Sequence, residues 1–213
     1  MGMENVYFKM AGYDPADLER VLRIAAANQV DMVTFDCAGG GSGYSPCKMM
    51  NEFGLPAVLM ERELLRIAAK FADEGLALPA ITVTGGFASE DQIFKALALG
   101  NGSVQAVGLC RAAMAAAMQG ATVGKAIREG KVPAQLQKYG STVEEVFADL
   151  PDLRALYGKE ANSFSPGAIG VFSYLNKIGF GLRHFGALNR KFDVTYFSKE
   201  DLIPLTPEAA ELL

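Results

Sequence analysis

The sequence predicts an α/β fold whose first part alternates strands with helices and whose last part is helical. Three observations predict it. Four short apolar runs, each rich in β-branched or aromatic residues, are each followed by a stretch with helical spacing of apolar residues. Glycines or a capping residue stand where each run should turn into its helix. Beyond about Gly120, helix signals continue while strand signals nearly vanish.

The first run, Val6 to Met10, leads through Gly12 to Asp14-Pro15. Asp14 suits an N-cap, and Pro15 the first helical position, where no amide needs an intrahelical partner. Leu18, Val21, Leu22 and Ala25 then recur on one face, and the helix is expected to end near Asn28. Met32 to Phe35 gives the second strand, closed by Asp36 and the glycine-rich loop Ala38–Gly43. A long helix through Glu61–Glu74 carries Leu64, Leu65, Ile67, Ala68 and Phe71 as its apolar stripe.

The third strand is expected over Pro79–Val83, turning at Gly85-Gly86. Ser89 caps a helix with Glu90 and Asp91 in its first turn, Ile93 to Leu99 in its body and Gly100 at its end. The fourth runs from Val104 to Val107, through Gly108, into an Ala-rich helix near Arg111. Strands separated by helices pair in parallel with right-handed crossovers. Periodicity leaves two arrangements open, part of a barrel or an open flavodoxin-like doubly wound sheet. Later helices are expected at Ser141–Glu144 and Pro166–Phe185. The expected division is residues 1–120 as a (βα)4 unit with phosphate-binding turns and 121–213 as a helical extension packed on it. The outer strands would both be sheet edges, which a protein covers with a helix, a partner chain or self-association.

Half of the 213 residues are apolar and about a fifth charged, enough to bury a sizeable core. A net charge of -4 with scattered Lys and Arg argues against nucleic acid as a partner. Charged and polar residues break every apolar run short of a membrane span, and no signal-peptide pattern opens the chain. A cytoplasmic setting is expected. Cys37, Cys47 and Cys110 are too few and too scattered for a disulfide framework or a one-chain iron–sulfur cluster. No metal site is expected, since the single histidine, His184, reads as structural.

The chemistry concentrates at the carboxyl ends of the strands. Thr84-Gly85-Gly86 and Gly108-Leu109-Cys110-Arg111 lie one βα unit apart, and glycine amides with a helix N-terminus suit a phosphate. Taken alone, they are also compatible with two ordinary tight turns. Asp36 to Gly43 could lie against a planar ring or cradle an anion, or be a flexible connector; it matches neither the Walker A nor the dinucleotide pattern. Lys9 could stabilise an electron-rich ring or snorkel past its apolar neighbours. Met49, Met50, Met114 and Met118 read as core filling.

Two segments, VTFDCAGGGSGYSP at Val33–Pro46 and Pro79–Gly120, resemble the flavin domain of glutamate synthase and its shorter archaeal and bacterial relatives. The resemblance extends over nearly the whole chain. It implies that the four units correspond to strands five to eight of a TIM barrel, a half-barrel, and that FMN is the cofactor. Lys9 would then face the isoalloxazine and, with Asp36, serve catalysis. Gly39, Gly40 and Gly41 would shape the substrate side, and Gly85, Gly86, Gly108, Leu109, Cys110 and Arg111 would hold the phosphate. The implied reaction of the complete domain is reductive amination of 2-oxoglutarate to glutamate.

Two features depart from that pattern. Cys37 stands where the relatives have glycine, and the other half-barrel, the amidotransferase domain and the iron–sulfur cysteines are absent from this sequence. The expectation is an oxidoreductase when completed by an N-terminal half-barrel. The alternative is an isolated half-barrel without activity, self-associating or binding a phosphate ligand weakly.

Overall fold

A computed structural model describes residues 4–12, 14–41 and 44–213. The chain groups into two compact units. One is Met1–Leu109 together with Leu182–Leu213, and the other is Cys110–Gly181.

The first unit contains a single sheet of four parallel strands, β1 (Tyr7–Ala11), β2 (Met32–Asp36), β3 (Ala80–Thr84) and β4 (Ala106–Gly108), in the order β1-β2-β3-β4. Each strand pairs with the next in sequence, so no strand order reverses. A flavodoxin-like sheet needs such a reversal, and that alternative is set aside in favour of a half-barrel arrangement. The connecting helices are α1 (Pro15–Ala27), α2 (Ala57–Asp73) and α3 (Glu90–Gly100).

Local chemistry fixes these elements much as expected. The Asp14 carboxylate accepts from the Ala16 amide, with Pro15 opening α1 and Asn28 closing it. Ser89 and Gln92 form a reciprocal capping box at α3, and Asn101, in the left-handed region, closes it. Helix α2 starts one turn earlier than its apolar stripe suggests, directly after Pro56. The fourth strand starts two residues late. The Gln105 side chain accepts from the Ile81 amide and donates to the Gly102 carbonyl, so Val104 and Gln105 are held by a turn.

Register explains the two faces of the sheet. Val33 and Phe35 of β2, with Ile81 and Val83 of β3, are fully buried against Leu18, Leu22 and Ala25 of α1 and Met60, Leu64, Ile67 and Phe71 of α2. The alternation of strand side chains places the intervening residues on the opposite face: Lys9, Thr34 and Asp36, Thr82 and Thr84, and Gly108. Strand β1 pairs only with β2, and Tyr7 and Phe8 are exposed along it. Residues 182–213 add to this unit through Phe185, which stacks on Phe94 of α3 at a centroid distance of 4.6 Å, and Phe197, which meets Phe94 edge-on at 4.9 Å.

The second unit is helical. It contains α4 (Arg111–Arg128), α5 (Val143–Val146), α6 (Leu150–Tyr157) and the first part of α7 (Pro166–Leu188), which continues into the first unit. Its core gathers Val123, Phe147, Leu150 and Ile169. Helices α4 and α7 approach backbone to backbone. A Cβ on Gly120 would run into the Pro166 carbonyl oxygen and lie 3.2 Å from the Gly170 Cα. The methionines Met114 and Met118 of α4 are exposed, which corrects their reading as core, because the buried face of α4 runs through Gly120, Val123 and Gly124 instead. A short helix α8 (Pro207–Ala210) lies near the C-terminus in the first unit. Among the described residues, no helix is long and apolar enough to cross a membrane.

Candidate functional site

The carboxyl ends of β1 and β2 open onto a cavity of about 220 Å3. Lys9, Met10 and Ala11 reach it from β1, and Asp36 and Cys37 from the end of β2. The remaining wall comes from Gly40, Gly41 and Ser45 of the glycine-rich loop and from Met49, Met50 and Gly54. Ser42 and Gly43 of that loop lie outside the described residues.

Lys9 and Asp36 meet because β1 and β2 are parallel and in register, Lys9 opposite Thr34, so that both side chains emerge on the same face two positions apart. Their Nζ–Oδ2 distance is 3.0 Å. The carboxylate is almost fully buried at 8% exposure while the lysine is 46% exposed, so the pair presents its ammonium toward the cavity and hides its anion. The ion pair fixes the orientation of the Lys9 side chain.

The glycine-rich loop is held by backbone bonds. The amides of Ala38, Gly39 and Gly40 donate to the carbonyls of Leu55, Met50 and Cys37 at 2.7, 2.9 and 2.7 Å, and the Cys37 amide donates to Thr84 at 2.7 Å. Residues 37–40 are thereby pinned beside the cavity. A π-helical turn at Met49–Phe53 brings the two methionines round to the cavity, so the core-filling reading of Met49 and Met50 is also corrected.

The Gly85-Gly86 turn follows β3. Gly85 has a φ of 117°, and a Cβ there would lie 2.8 Å from the Cys37 carbonyl oxygen, so only glycine lets this turn pack on the loop. Gly86, at φ 84°, has open space where a Cβ would project. Gly108 packs on Thr84, where a Cβ would come within 2.9 Å of the threonine Cβ. The first unit thus brings together Lys9, Asp36, Gly40 and Gly41 at the cavity, Gly39 behind it, and Gly85 against its wall. Gly108 and Leu109 end the first unit, and Cys110 and Arg111 open the second at the start of α4.

Sequence reasoning passed over Ser45 and one buried acid, and read the two methionines as core. Glu61, in the second turn of α2, is 3% exposed, and its Oε1 has no hydrogen-bond partner. Burial pushes this carboxyl up to about 8. Cys37, on the helix-facing side of β2, belongs to the same core; burial first, then the nearby charges of Glu61 and Asp36, push its thiol up to about 12. The only sequence signal for Glu61 was its position between Met60 and Leu64 on the border of an apolar stripe. Among the described residues no His, Cys, Asp and Glu cluster could hold a metal.

These features define a class: a parallel α/β half-barrel with a cavity and glycine turns at the carboxyl ends of its strands. A family model described as a conserved region in glutamate synthase matches residues 3–123. This span exceeds half of the chain, and the protein belongs to that family. No curated protein matches the sequence.

Proposed function

We propose that this chain carries part of an FMN site of the glutamate synthase type, acting in the reductive amination of 2-oxoglutarate once the site is complete. The observation that carries the reading is the Lys9–Asp36 pair at the mouth of the cavity, in a chain of this family. The residues present fit the group. The buried Asp36 holds the Lys9 ammonium where negative charge on a ring edge would be stabilised, and Met10, Met49 and Met50 offer soft, apolar contact to a planar face. Gly86 leaves its backbone open to an approaching phosphate, which Gly85, Gly108 and Leu109 of the same unit would help to hold. FMN, when bound, supplies the hydride chemistry. The chain's own residues orient the ring, exclude water from its apolar side and place a fixed cation at one edge. Three free cysteines fit a reducing, cytoplasmic setting.

The open edge of β1 favours a second element of the proposal. Its exposed Tyr7 and Phe8 and its one-sided pairing suit a further parallel strand, from a complementing N-terminal half-barrel or from another copy of the chain. Without that partner, the chain is proposed to be inactive and to bind ligand weakly at most.

Titration with FMN, followed by quenching of flavin fluorescence, tests the reading. Gly86→Asp puts a carboxylate where the phosphate should approach; because φ 84° strains any side chain there, Gly86→Ala is the reference, and the aspartate is expected to weaken binding at least tenfold relative to it. Failure of the chain to bind FMN, alone and with a complementing half-barrel, would refute the proposal.

A further inference from the structure

Glu61 has no part in the site as described, yet it is a buried acid with an unpartnered oxygen, next in sequence to Met60, which shares a core with Leu64 of α2 and Cys37 just after β2. Two connections tie this helix to the cavity. The Leu55 carbonyl, just before α2, accepts from Ala38 of the glycine-rich loop, and the Leu55 amide donates to Gly12, just after β1. Cys37, which lines the cavity, points its thiol into the core that α2 shares, and the charge of Glu61 acts on it. We propose that Glu61 is a proton-binding site linked to the charge of whatever fills the cavity, so that an anionic ligand enters together with a proton on Glu61.

The charge count supports this. Lys9 and Asp36 cancel each other at the cavity. With Glu61 neutral, the neighbourhood carries no net charge and an anion meets the Lys9 ammonium; with Glu61 ionised, it carries one negative charge and repels the same anion. Several other charges on the elements around α2 are paired. Glu19 and Arg23 of α1 bind Lys70 and Glu74 at the far end of α2, and Asp91 of α3 pairs with exposed Lys95. Glu90 of α3 is a second acid with a buried, unpartnered oxygen, at the first turn of its helix. A unit charge about 10 Å away at an effective dielectric of about 20 changes anion affinity on the order of tenfold. Linkage is reciprocal, so the bound anion raises the proton affinity of Glu61 by the same factor.

The inference rests on the proposed ligand site and has its own test. Calorimetric titration of 2-oxoglutarate, with and without FMN, is made at about pH 6.5 and about pH 9, in buffers of different ionisation enthalpy, so that proton uptake is read directly. Wild type is expected to bind on the order of tenfold more weakly at the higher pH than Glu61→Gln does, and to take up protons there that the variant does not. At the lower pH the two bind alike. Glu61→Leu, which drops the polar group altogether, gives the same pattern and guards against a folding defect peculiar to one variant. Proton uptake unchanged by either substitution, or no 2-oxoglutarate binding under any condition, would overturn the proposal. FMN quenching on the same proteins separates the two readings: Glu61-dependent proton uptake without FMN binding leaves the linkage standing and removes the flavin, whereas FMN binding without that uptake does the reverse.

Discussion

Replacing Glu61 by glutamine keeps the side chain's shape and removes its ionisation. In the folded chain the carboxyl is raised from 4.5 to about 8 by burial, while in the unfolded chain it titrates normally. Between those values the folded state holds a proton that the unfolded state has released. The stability the native protein has below the unfolded value is therefore lost as pH rises toward the folded one. Each pH unit in that window costs about 1.4 kcal/mol, so wild type should lose roughly 5 kcal/mol across it through this group. Carboxylates with lowered values, such as Glu19 and Glu74 beside Arg23 and Lys70, act in the opposite direction and below the window. Urea unfolding by far-UV circular dichroism at about pH 5, 7 and 9, on wild type and Glu61→Gln, isolates the effect as the difference between two slopes. A buried glutamine amide without a partner adds a constant penalty and leaves the slope unchanged. Parallel stability profiles for the two proteins over this range would refute the reasoning.

Lys9→Met strands the buried Asp36 carboxylate and should cost about 1–2 kcal/mol by urea unfolding, most of it recovered in Lys9→Met/Asp36→Asn; a double variant as unstable as the sum of the singles would show that the two do not interact. Gly120→Ala adds a Cβ against backbone of α7 and should lower stability by about 2 kcal/mol or more despite its better helix propensity, whereas the nearby surface change Gln119→Ala is expected to be neutral within about 0.5 kcal/mol in the same thermal melts. Thiol titration of the native chain should count Cys47 and Cys110 promptly and Cys37 only on unfolding; three fast thiols would contradict the burial of Cys37.

Where local chemistry decides the structure, the sequence was legible. Asp14-Pro15 and Ser89 with Gln92 mark helix starts because their side chains satisfy amides that no helix can satisfy itself. The glycines at 85 and 108 signalled close approach, and each lies against another turn or strand. Strand order was not legible, since the 2.0 and 3.6 periods are the same in a barrel and in an open sheet. Lys9 was found as a candidate, but its contact with Asp36 depends on register between strands about 25 residues apart in sequence, which no local pattern encodes. The methionine roles were misjudged for a related reason. Whether a methionine fills a core or faces a cavity depends on which way its turn is wound, and the π-helical turn at Met49–Phe53 has no sequence mark. Glu61 was hidden because a single acid on the border of an apolar stripe usually reaches solvent.

The discontinuity of the first unit sets an order of events during synthesis. Strands β1 to β4 and the helices between them emerge first, each strand pairing with its sequence neighbour. The aromatic side of α3 has to wait, because Phe185 and Phe197 leave the ribosome about ninety to a hundred residues after Phe94. At an elongation rate of about 5–20 residues per second, that interval is roughly 5–20 s. For that time a nascent sheet already able to form carries an uncovered apolar face on its third helix, the surface that holdase chaperones recognise and that an arrested or truncated chain would leave exposed for good.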